Sequence, residues 1–192
     1  MLRASVIAAA VALTTFGCGG SPTAPSDGGA QAGSPGTLNV RITDSPYSKA
    51  KAVLVTFSEV SANGTKLPFS DPSASSWTCD LKKLQNGNND LLATARPSAK
   101  EYTEIKLVVQ SAKIFMDNSA QSSTPCARSI AEPAGAAFPM SISGNEAKLN
   151  GSFGLRPDSS MTILVDFDGE SSISQSGSTY VMNPVVRIVS VQ

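Results

Sequence analysis

The chain of 192 residues contains no histidine. That removes Ser-His-Asp and Cys-His nucleophilic catalysis and one of the usual ligands of a structural zinc site. Charge is scarce as well. Charged residues make up 16%, and 15 Lys and Arg balance 15 Asp and Glu, where a soluble domain ordinarily carries about 25%. No basic cluster runs along the sequence, so neither nucleic acid nor acidic lipid is an expected partner, since both need clustered Lys and Arg. Aromatics are few, at 6%, and Trp77 is the single tryptophan. Beyond Cys18 no stretch sustains a helical period long enough for a packed helix.

What is present begins with export. Arg3 is followed by an uncharged run from Ala4 to Phe16, continuously apolar from Val6 to Leu13. The run suits the h-region of a signal peptide and is short of the roughly 20 residues that span a bilayer. Gly17 then precedes Cys18, which resembles a bacterial lipobox, with Thr15 at the position where leucine is usual. Such a signal implies a diacylglycerol on the Cys18 thiol and removal of residues 1–17. The alternative is an ordinary secretory signal cleaved nearby.

Residues 18–36 change character to Gly, Ser and Pro with one charge. A segment that cannot bury apolar surface does not offset its ordering entropy, so a flexible tether is expected here. No Asp follows Cys18 directly, which favours the outer membrane of a bacterial envelope over inner-membrane retention. The remainder, 37–192, fits one domain with a sizeable core. In an oxidising compartment Cys79 and Cys126 form an even pair, and a disulfide between them is expected. The rival two-cysteine metal site has neither a histidine partner nor CxxC spacing.

The domain reads as successive strands. Leu38, Val40 and Ile42 alternate with Asn39, Arg41 and Thr43, the period of a half-buried strand. Ala52 to Val60 follows with Val53, Val55 and Phe57 on one face, ending at the hairpin signal Asn63-Gly64. Ser76 to Leu81 is a further candidate. Leu81 to Pro97 is the least strand-like part, with Leu81, Leu84, Leu91 and Leu92 expected to plug one end of the fold. From Glu101 to Asp117, Thr103, Ile105, Leu107 and Val109 share a face, and Ile114 and Met116 suggest a second strand after a bend near Ser111. Residues 118–137 form a polar excursion that Cys126 would staple back. Ala147–Leu155 is expected to pair with Met161–Gly169, ahead of a last pair within Ser178–Val191. The sum is an all-β antiparallel sandwich of about 7–9 strands.

The segments GTLNVRITDSP, AVLVTF, DLKKLQNGN, EYTEIKLVV, ILVDFD and NPVVRIV, in that order, resemble the bacterial envelope family catalogued as domain of unknown function 4382. The resemblance covers roughly Gly36 to Val189. It implies a lipoprotein-like protein and a transthyretin-like or carbohydrate-binding-module-like sandwich. It carries no assigned activity and no functional residues.

Few residues invite chemistry. Asp166 and Asp168 lie two apart in a strand pattern, followed by Gly169 and Glu170. Two neighbouring carboxyls meet the separation that glycoside hydrolysis needs, and the three acids are candidate calcium ligands, although the fuller EF-hand spacing is missing. The plainer reading is a solvent face carrying Asp166 and Asp168 with Val165 and Phe167 inward. Ser48 with Lys49 and Ser98 with Lys100 are near neighbours of the kind Ser-Lys chemistry would need, but with so many serines such neighbours arise by chance, and spacing alone does not make a catalytic pair. Trp77 is either a sugar-stacking platform or a core residue packed near Cys79. Tyr102 suits a tyrosine corner, its hydroxyl bonding back to the backbone. The expectation is therefore a non-catalytic, lipid-anchored envelope module that binds an envelope protein or other partner, or scaffolds. A carbohydrate-binding module is the alternative. No cofactor beyond calcium is suggested.

Overall fold

The computed structural model describes residues 34–192; Cys18 and the signal-like segment lie outside the described residues. The elements are β1 (Thr37–Ser45), β2 (Ala52–Ala62), β3 (Thr65–Leu67), β4 (Trp77–Asp80), a 3-10 turn (Leu81–Lys83), β5 (Asp90–Ala95), β6 (Glu101–Phe115), β7 (Cys126–Ala127), β8 (Phe138–Ile142), β9 (Glu146–Gly154), β10 (Ser160–Asp168), the helical turn α1 (Gly169–Ser172), β11 (Ile173–Ser176), β12 (Thr179–Met182) and β13 (Val186–Val191). The protein is all-β, and the thirteen strands among the described residues exceed the expected number because several span only two to five residues.

Two sheets form the sandwich. One has the order β13-β10-β1-β5; the other runs β11-β12-β8-β6-β2-β4-β7, with β3 on β2 and β9 on β6. Most pairings are antiparallel, but β1 pairs with β10 and β12 with β8 in parallel. That corrects the purely antiparallel expectation. Strand β9 also pairs with β6 rather than β10, and β12 and β13, adjacent in sequence, lie in different sheets. Local alternation specifies a strand but not its neighbour, so pairing over long separations was not legible.

Period two governs the core. Leu38, Val40 and Ile42 are fully buried, as are Val53, Val55 and Phe57 from the other sheet. Phe57 meets Phe167 edge to face at 6.1 Å, one ring from each sheet. Asn63 and Gly64 both take positive φ, at 45° and 75°, as the two-residue β2–β3 hairpin requires. The expected bend near Ser111 is a bulge within one continuous strand. Thr56 pairs with Ser111 while Phe57 pairs with Val109, so the buried face switches from Ile105, Leu107 and Val109 to Ala112 and Ile114. A second irregularity between Tyr102 and Glu104 leaves Thr103 exposed, against expectation, and turns Tyr102 inward.

Leu81, Leu84 and Leu92 are buried as expected, whereas Leu91 is half-exposed in β5, the strand the sequence did not announce. Leu54, on the outer face of β2, is also buried. It packs with Ala52, Phe115, Ala120 and Ile130, a small second core that the excursion after β6 lays over the sheet. Cys79 and Cys126 face each other in the β4–β7 register and form a disulfide.

Candidate functional site

The acidic residues lie at the carboxyl ends of the parallel pair β1 and β10. The register sets Thr43 beside Asp166 and Ser45 beside Asp168. Asp166 is only 3% exposed, so it does not occupy a solvent face as the alternation suggested. An unpaired buried carboxylate would be costly, and here the Arg187 guanidinium closes on it at 2.7 Å while the Ser45 hydroxyl donates at 3.0 Å. Asp168 caps α1 by accepting the Ser171 N–H at 2.8 Å. Glu170 accepts the Ser48 N–H at 2.8 Å. Each of the three is engaged with a separate partner. Among the described residues no group of three or more His, Cys, Asp or Glu side chains is arranged to hold a metal ion.

Asp44 joins this end of the sheet and was overlooked. It is buried, and among the described residues neither carboxylate oxygen has a well-formed hydrogen bond, the Gly169 amide being the nearest donor. Burial pushes its carboxyl up to about 8; the Gly169 amide opposes the shift and the nearby Asp166 adds to it. The chain passes close here, since a Cβ on Gly169 would lie 3.1 Å from Asp44 Oδ1 and 3.0 Å from the Tyr47 nitrogen. The signal was available: Asp44 continues the inward series Leu38, Val40, Ile42.

Trp77 belongs to the core. It is 8% exposed, stacked on Phe69 at 6.2 Å, and its indole nitrogen has no partner. The Tyr102 hydroxyl donates to the Ser98 carbonyl at 2.8 Å, four residues upstream, which makes the expected corner. Lys100 lies over the Tyr102 ring at 5.1 Å. Among the described residues no hydrogen bond joins Ser98 to Lys100 or Ser48 to Lys49 through their side chains.

The notable concavities are elsewhere. Two adjoining grooves, of about 400 and 480 Å³, share Lys82, Lys83 and Gln85. Lys51, Ser48 and the buried Asp80 complete the first; Asn86, Asn88 and Ser123 border the second. Neither is lined by Trp77, Tyr180, Asp166 or Asp168. The Lys82 ammonium donates to the Tyr47 carbonyl at 3.1 Å and that of Lys83 to the Ser122 carbonyl. Asp80 Oδ1 accepts the Lys82 and Val53 N–H groups, both at 3.2 Å, and fixes the turn that carries both lysines. Burial pushes the Asp80 carboxyl up, against those two N–H bonds. The sequence hid this basic group because Lys51 and Lys82-Lys83 are some thirty residues apart.

The family model described as "Domain of unknown function (DUF4382)" matches residues 35–184. The chain belongs to this family. No curated protein and no solved structure matches the chain. The DUF4382 match takes in the groove lysines, Asp44, Asp166 and the disulfide, but stops before β13. The strand that completes the four-stranded sheet, and with it Arg187, lies beyond the matched residues. A bulge sets Val189 outward on that edge, 53% exposed between residues paired with Leu164 and Val165.

Proposed function

We propose that this DUF4382 protein is a non-catalytic module of the bacterial cell envelope, anchored by lipid on Cys18 and binding a partner through the loop end of its sandwich. One relationship carries the reading. The chain joins the domain at Gly36, whose N–H bonds the Pro97 carbonyl at 3.1 Å and which is packed against the Arg156 carbonyl. Strand β1 then runs away from that end for nine residues, about 25 Å at a strand's rise, to the end where Leu84 and Asn88 accept bonds from Thr43. The lysine-lined grooves adjoin that far end. A domain tethered through its amino terminus would thus keep the grooves clear of the point where the tether enters.

The non-catalytic reading is supported by the missing histidine and by Ser and Lys neighbours that do not bond. The burial of Trp77 takes away the platform that a neutral-sugar module would use. Palmitate labelling of the full chain in a bacterial host tests the anchor. Label on the wild type and none on Cys18→Ala, with recovery in the outer-membrane fraction, is expected. Equal label on both would overturn it.

A further inference from the structure

Of the nine lysines, three form salt bridges among the described residues. Lys106 bridges Glu59 and Glu146, Lys113 meets Glu132, and Lys148 contacts Glu104 and Glu146. Six do not, and of these Lys51, Lys82 and Lys83 are the three that come together. Among the described residues none of them forms a salt bridge, although all three line one groove. Lys82 and Lys83 are anchored by one backbone carbonyl each, which leaves each ammonium with two further donors. A lysine held by a backbone carbonyl has already lost side-chain freedom that a ligand would otherwise have to restrict.

The neighbouring acids do not neutralise the group. Asp80, 1% exposed at the floor of the first groove, spends Oδ1 on the backbone that shapes the turn; both lysines act on its carboxyl through space, but neither forms a salt bridge with it, and one buried acid stands against three lysines. Glu170 spends Oε2 on the Ser48 N–H at the margin. Among the described residues the second groove has no acidic lining residue, and its border of Gln85, Asn86, Asn88 and Ser123 offers amides and a hydroxyl. No aromatic side chain among the described residues lines either groove. Base stacking, the usual foothold for single-stranded nucleic acid, is therefore missing. What remains is two anchored ammonium groups and the exposed Lys51, bordered mainly by neutral donors and acceptors. That pattern suits a chain of hydroxyl groups interrupted by negative charge.

We propose that the two grooves form one binding site for an anionic oligosaccharide, its carboxylates on Lys51, Lys82 and Lys83 and its hydroxyls on the Gln and Asn side chains beside them. The inference rests on the binding-module reading above and gives it a ligand class.

Isothermal titration of the full chain tests it, with trigalacturonate as probe and maltotriose and a short oligothymidylate as comparisons. Trigalacturonate alone should release heat, and raising salt from about 50 to about 500 mM should weaken it severalfold, because the groove is open to solvent and screened. The double variant Lys82→Gln/Lys83→Gln should weaken binding by about tenfold or more, as lost close charge contacts do. The exposed Lys51→Gln, which touches no fixed backbone, should weaken it severalfold and serves if the double variant misfolds. Lys66→Gln, on β3 beyond the far hairpin, removes the same charge and should change nothing. No heat with trigalacturonate, equal binding of maltotriose or oligothymidylate, or unchanged affinity in the groove variants would overturn the site. Those failures would leave the Cys18 anchor standing, because the palmitate label does not depend on the ligand.

Discussion

Asp166 and Arg187 stand opposite each other in the β10–β13 register and join a carboxylate only 3% exposed to a guanidinium whose side chain is 62% exposed. The pair ties the last strand to the centre of its sheet. Removing the arginine strands a buried charge with only the Ser45 hydroxyl. Arg187→Ala should therefore destabilise the domain by about 1–2 kcal/mol, less than a fully buried pair because half the interaction is solvent-screened. Asp166→Asn, which removes the charge and keeps the shape, should cost less. Urea midpoints of both variants check the order, and an Arg187→Ala curve that overlays the wild type would refute it.

Asp44 should make stability fall as pH rises. Its carboxyl titrates near 3.8 when unfolded and at about 8 when folded, so between those values the folded state holds a proton that the unfolded state has lost. The contribution is complete below about pH 4, declines across the interval, and is gone above about pH 8. Asp44→Asn keeps a neutral side chain at every pH. It should flatten this slope and melt above the wild type on the alkaline side. Melting temperatures from pH 5 to pH 9 decide the matter; parallel profiles would show that Asp44 is not the titrating group.

The Cys79–Cys126 disulfide closes a loop of sequence separation 47, worth about 3–4 kcal/mol by loop-closure entropy. Its loss should be felt first in the excursion after β6, because β7 is only two residues long and pairs with β4 alone. Cys79→Ala/Cys126→Ala should lower the denaturation midpoint, and amide exchange should rise around 117–137 before it rises in β1 or β10. Uniform exchange would argue against that staple.

Tyr102→Phe tests the corner. The hydroxyl is the only difference, and the Ser98 carbonyl would lose its bond from it. A loss of about 1 kcal/mol is expected. A second check uses the only tryptophan: Trp77, stacked under Phe69, should resist acrylamide quenching in the folded state and become accessible in urea.

Strand after strand was legible in the sequence because period two records which face is buried, and the Asn63-Gly64 turn and the tyrosine corner depend on neighbours a few residues away. The cysteine pair was legible for another reason: compartment chemistry leaves an even pair little else to do. The interruptions were harder. The bulge at Gln110 and Ser111 was read as a bend between strands, since a change of face looks the same as an ending until the partner strand is seen.

By itself the sequence determined an all-β chain, the inward series Leu38, Val40 and Ile42, and membership in the DUF4382 family, while the burial of Asp44 one step further along that series had to be seen in the fold. Only the tertiary structure decided that β1 and β10 run parallel, because pairing across more than a hundred residues leaves no local mark. Only it buried Asp166, whose alternation pointed to solvent until Arg187 arrived from the last strand to neutralise it. It also gathered Lys51, Lys82 and Lys83 into one charged end of a neutral protein, since charge balance along a chain says nothing about where folding brings like charges together.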